Sequence, residues 1–167
     1  MLKSACIRTG VAIAALLPFA APAQAGTVSS NLSVNATVTA NCTISTSALN
    51  FGSVDTLSAS PVDGTGGISV TCTNGTGWTA AADVGGGSGA TFASRRMSQG
   101  ADLLSYSLYT DAARTNVWGD GTGSTVTIAN TGTGSAQNVT VYGRIPGSQS
   151  SAPAGAYADT VSVTVTY

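Results

Sequence analysis

The chain has 167 residues, 43% hydrophobic and only 8% charged, with 6 Lys and Arg against 7 acidic residues and a net charge of −1. All the acidic residues are Asp, and His and Glu are absent. Weak acidity with few cations argues against nucleic acid and anionic membrane surfaces as partners, and without His or Glu most general-base arrangements cannot be built.

Residues 1–25 read as a secretory signal. Lys3 and Arg8 supply a positive start, residues 10–21 are apolar but shorter than the roughly 20 residues a bilayer span needs, and Ala23-Gln24-Ala25 is a small-x-small cleavage site. Cleavage of 25 from 167 residues leaves 142, enough for one domain. It also removes Lys3 and Arg8, so four Arg (Arg95, Arg96, Arg114, Arg144) face seven Asp and the mature charge is −3. Of the three cysteines Cys6 leaves with the signal, and export favours oxidation of the remaining pair, Cys42 and Cys72. A bridge closing about 30 residues stabilises by roughly 3–4 kcal/mol in the chain-entropy model. Two thiols without His do not make a zinc site, and no metal or other cofactor is expected.

Residues 26–40 form an N-terminal extension with an alternating pattern. Val28, Leu32, Val34, Ala36 and Val38, with Ser30 among them, fall on one face, and Ser29, Asn31, Ser33 and Asn35 with flanking Thr fall on the other. A free alternating strand either pairs at home or completes another sheet by strand addition. The domain proper spans residues 41–167. The parity runs on through Cys42 and Ile44, breaks at 45–48, and a short piece follows at 49–52. Residues 57–67, with Pro61 and several glycines, are expected to be loop. Ile68, Val70 and Cys72, then Asn74-Gly75, then Trp78, Ala80, Ala82 and Val84 read as a hairpin. A Gly-rich turn at 85–89 precedes an edge strand near 92–97 and a strand through Leu104, Tyr106 and Leu108. Residues 117–123 are expected to be a loop, followed by strands at Val126–Ile128 and Val139–Ile145. The last strand is expected over 158–167, with Val161, Val163, Val165 and Tyr167 on one face and the chain stopping inside it.

Apolar spacing of three and four never persists, and 21 glycines with abundant Thr and Val disfavour helix. Short strands separated by turns indicate an all-β antiparallel sandwich. Arg95 and Arg96 are expected on a solvated strand edge or paired with Asp102. Asp120, one carboxylate among glycines, is expected to serve a turn rather than hold calcium. No paired carboxylates have glycosidase-like spacing, and no catalytic residue is expected.

The motifs at residues 41–44, 49–52, 68–76, 95–97, 104–111, 118–123, 141–146 and 157–167, in that order, resemble the spore coat protein U domain family over essentially the whole mature chain. The resemblance implies an incomplete immunoglobulin-like sandwich with an N-terminal donor-strand extension, a structural subunit of archaic chaperone–usher pili that serve attachment and biofilm formation. It implies a periplasmic chaperone, an outer-membrane usher and other pilin subunits as partners, passage through the periplasm to the cell surface, and Cys42–Cys72 as the family disulfide. Residues 28–38 would be the donor strand. Val161, Val163, Val165 and Tyr167 would border the groove and contact the chaperone. A coat-forming role follows from the same physics. A secreted carbohydrate-binding module stacking sugar on Trp78, Trp118 and Tyr109 is the reading from a different class.

Overall fold

The computed structural model describes residues 22–167, so most of the expected signal segment lies outside the described residues. Its contacts divide the chain at Ala36–Thr37. In the first unit residues 22–36 are exposed and carry no strand ladder, Val28 and Leu32 being 100% and 87% accessible. Among the described residues the alternation there has no ladder partner to make it a strand.

The second unit holds eight strands and no helix. They are β1 (Cys42–Ser47), β2 (Val62–Cys72), β3 (Gly77–Ala82), β4 (Arg95–Gln99), β5 (Asp102–Tyr109), β6 (Ile128–Thr131), β7 (Gln137–Ile145) and β8 (Val163–Thr166). They form a five-stranded sheet in the order β1-β2-β7-β5-β4 and a three-stranded sheet in the order β6-β3-β8, with every strand pair antiparallel. Ile68, Val70, Leu104, Leu108, Val141 and Ile145 from the first sheet meet Trp78, Ala80, Ala82 and Ile128 from the second in one core. This is the antiparallel sandwich expected from the alternation, of the immunoglobulin-like kind that the family resemblance implies, built from inward-facing alternate residues.

Several local expectations are corrected. β1 continues through residues 45–47. Residues 62–67 are strand, because Gly64, Gly66 and Gly67 lie opposite Gly143, Val141 and Thr140 of β7 in an unbroken ladder. The piece at 49–52 forms no ladder; its Leu49 and Phe51 lie on the inner face over Gly64 and its ladder partner Gly143, where a Cβ on Gly64 would come within 3.1 Å of both side chains. The hairpin expected at 68–84 is an arch between the two sheets. β2 already has β1 on one side and β7 on the other, so β3 finds no edge there and pairs with β6 and β8. Gly75, at φ 82°, turns the chain, and its N–H donates to Gly132 O at 2.9 Å.

The C-terminal run is also divided. Ala158 bridges Ser98 at the end of the five-stranded sheet, and only Val163–Thr166 ladders with β3 in the other. Arg95 is not on a solvated edge: it is fully buried on the inner face of β4, and its guanidinium donates to the carbonyls of Asp83, Phe92 and Trp118. Arg96 donates to Ser88 O. Among the described residues neither forms an ion pair with Asp102.

Candidate functional site

The five-stranded sheet is broader than the three-stranded sheet that covers it, and beside β8 its inner face is reached by an open groove of about 450 Å³. Ile68, Tyr106, Leu108 and Val141 form the floor. One bank is the segment from Thr46 to Phe51, which continues β1; the other is residues 157–161 with Val163 of β8. A second cavity of about 720 Å³ prolongs the groove toward residues 52–57 and 152–157 and shares Leu49, Asn50, Phe51, Met97 and Tyr157 with the first. The Phe51 ring meets Tyr106 edge-on at 6.2 Å, so the bank is seated on the floor rather than swinging over it.

β8 has one ladder neighbour, β3, and its other edge faces the groove. A strand edge bordering an apolar trough offers backbone hydrogen bonds along its length and burial beneath, the two things an added strand needs. Of the residues expected on this bank, Val161 and Val163 line the groove. Val165 packs against the core, and Tyr167 is 56% exposed. On the extension, Val28, Leu32, Val34, Ala36 and Val38 are all exposed. Cys42 and Cys72, opposite one another in the β1–β2 register, are disulfide-bonded.

Two of the polar side chains that line the groove, Tyr106 and Asp159, are paired with each other. The Tyr106 hydroxyl donates to Asp159 Oδ2 at 2.7 Å. Burial, and after it the Asp159 carboxylate, push that phenol well above its ordinary value, so it stays a donor across the physiological range. Burial also lowers the Arg95 guanidinium below its ordinary value, opposed by Tyr106, Asp83 and Asp159. Asp120 accepts from Thr122 N–H and Oγ1–H within its own turn. Among the described residues no cluster of three His, Cys, Asp or Glu could hold a metal ion.

The carbohydrate platform is overturned. Trp78 and Trp118 are each 2% exposed, and their indole N–H groups donate inward, to Gln137 Oε1 and Ala80 O. Neither ring has a face to offer a sugar. The sequence reading missed the bank formed by Leu49 and Phe51 and the Tyr106–Asp159 contact. The signal for the first was Gly143, a glycine on the inward parity of β7 where Val139, Val141 and Ile145 are apolar.

Residues 28–164 match the Spore Coat Protein U domain. Protein U of Myxococcus xanthus is 40% identical over 183 residues, covering 96% of this chain and 98% of that protein. Among solved structures, a chain from the CsuC–CsuE chaperone–tip adhesion subunit pre-assembly complex of archaic chaperone–usher Csu pili of Acinetobacter baumannii aligns with a TM-score of 0.56 at 24% identity. That alignment covers 78% of this chain but only 40% of the neighbour, and the likeness is one of fold. The chain belongs to the Spore Coat Protein U domain family.

Proposed function

We propose that this chain is a structural, non-catalytic subunit of a surface pilus whose copies are joined by strand donation. Residues 1–25 direct export, residues 26–40 are the donor extension, and residues 41–167 are the acceptor domain. Residues 28–38 of one copy enter the groove of the next and lie against β8, with Val161 and Val163 forming the wall and Val165 and Tyr167 continuing the edge. Before assembly a periplasmic chaperone covers the same edge, and an outer-membrane usher is where one strand replaces the other. The finished fibre serves attachment and biofilm formation. The fold likeness to a chain from a chaperone–tip adhesion subunit complex supports a chaperone as partner.

The observation that carries this reading is the pairing of a free edge on an apolar groove with an exposed apolar alternation in the same chain. Burying Leu32, Val34 and Val38 is worth about 1.5–3 kcal/mol each before association costs. Ladder hydrogen bonds along β8 add to this. Likeness to Protein U, within a family described by a spore coat domain, favours a coat polymer as the second reading; the joint is then the same and only its place on the cell differs.

The test compares residues 26–167 with a form beginning at Ala40, by size-exclusion chromatography and thermal unfolding, each with and without a synthetic peptide of residues 26–39. Strand donation requires the long form to polymerise and the short form to gain stability from the peptide. A short form that stays monomeric, stable and indifferent to the peptide would falsify it.

A further inference from the structure

Residues 159–162 cross from one sheet to the other along the wall of the groove. Before them Ala158 exchanges backbone hydrogen bonds with Ser98, at 2.9 and 3.2 Å. After them Val163 begins the ladder with β3. β8 contributes four residues with one neighbour, a length at which a strand edge frays unless something outside the ladder holds it.

Two carboxylates hold the crossing. Asp159 Oδ1 accepts from the N–H groups of Gly86 and Thr160, both at 2.8 Å, while its Oδ2 accepts from the Tyr106 hydroxyl. Asp83 Oδ1 accepts from Ser162 N–H and Gly85 N–H, both at 3.0 Å, and Asp83 N–H donates to Ser162 O. Gly85 has φ 82°, and a side chain there would collide with the Asp159 carboxylate. Beneath them the buried Arg95 fixes the Asp83 carbonyl with two N–H donors, from Nε and Nη2. The crossing is therefore tied by the two carboxylates to Asp83 just past β3, to the 85–86 turn and to Tyr106 of β5, side-chain contacts that lie outside the β8 ladder.

We propose that Asp159 is a positioning residue for the groove, holding residues 160–166 in the strand-accepting position before a partner strand arrives. Its functional consequence rests on the strand-donation reading; the positioning itself does not. If the edge were open for much of the time, the apparent affinity for an incoming strand would fall by the fraction of molecules in the competent form. A preformed edge avoids that loss.

Tyr106→Phe removes only the hydroxyl and leaves the ring on the groove floor, whereas Asp159→Asn turns one acceptor into a donor. Hydrogen–deuterium exchange is measured on residues 26–167, diluted until monomeric, for the native chain, both variants and Arg144→Gln as an outer-face control. Amides of residues 160–166 are expected to exchange at least tenfold faster in Tyr106→Phe while those of β2 and β7 stay unchanged, and Arg144→Gln, which loosens only the outer-face pair with Asp63, is expected to leave residues 160–166 at the native rate. Self-association followed by light scattering is expected to slow at least threefold in the same variant. Unchanged exchange at 160–166 overturns the proposal, as does a uniform rise through all strands, which marks a general stabiliser. If the native chain does not self-associate at all, strand donation fails and the exchange pattern alone still decides the positioning. Should Asp159→Asn not fold, Tyr106→Phe carries the test.

Discussion

Gly143 occupies a position on β7 whose neighbours of the same parity, Val141 and Ile145, point into the core. It lies opposite Gly64 of β2, and the space the two leave is filled by Leu49 and Phe51. A Cβ on Gly143 would fall 2.8 Å from Leu49 Cδ1 and 2.8 Å from Phe51 Cζ. Gly143→Val is therefore expected to overpack the bank and cost about 1–3 kcal/mol in urea unfolding. Phe51→Ala on that background should recover part of the loss, a coupling that a double-mutant cycle measures. The same residues explain a misreading. Positions without side chains give no alternation, so residues 62–67 look like loop, and the side chains that complete their inner face come from a segment well upstream. Arg95 was illegible for a similar reason: a guanidinium is read as a surface group, and the carbonyls of Asp83, Phe92 and Trp118 that satisfy it are assembled only by the fold.

Strands whose partners lie within the domain were legible, since Ile68, Val70 and Cys72, or Leu104, Tyr106 and Leu108, alternate because one face is buried. What alternation does not carry is which strand pairs with which, and Asn74-Gly75 serves an arch as readily as a hairpin. The β2–β7 pair illustrates an element-level consequence. On its outer face Arg144 donates to both carboxylate oxygens of Asp63, at 2.7 and 2.9 Å, and Arg114 approaches the same carboxylate at 3.2 Å. Arg144 chiefly, with Arg114 adding to it against some desolvation, holds the Asp63 carboxyl below its ordinary value. Its pKa is thus lower in the folded than in the unfolded chain. The stabilisation is complete above the unfolded value, near 4, and disappears as pH falls through the folded one. Because Asp63 and Arg144 are more than a third exposed, solvent screening limits the pair to about 0.2–1 kcal/mol. Native protein and Asp63→Asn should differ by that amount at pH 6 and converge toward pH 2. The gap at pH 6 should also narrow in 1 M salt. A difference that persists unchanged at pH 2 would mean that the substitution acts through packing rather than charge.

For the whole molecule, the distribution of cations and of ladder hydrogen bonds sets how it meets proteases. After residues 1–25 the chain has no Lys and four Arg. Arg95 and Arg96 are locked in β4 and Arg144 in β7, so only Arg114, in a turn at φ 57°, presents its backbone outside a strand. A protease must draw several residues into extended form, which a paired strand resists until it opens. Trypsin should therefore leave the folded chain intact, or nick it at Arg114 alone. An elastase, which cleaves after small apolar residues, meets a different surface: Val28, Val34, Ala36 and Val38 are exposed, in a stretch with no ladder. Elastase is expected to trim the monomer to a core starting between residues 36 and 41, just ahead of β1 and its disulfide. If residues 28–38 are the joint between copies, they become a paired strand in the polymer, and elastase should remove them at least tenfold more slowly there than from the monomer. Once trimmed, the monomer should no longer polymerise. A polymer that loses these residues as fast as the monomer does, and yet stays assembled, would place the joint elsewhere on the molecule. Proteolysis of the two forms side by side, read by intact mass, thus tests the extension as a mechanical link without altering a single residue of the domain.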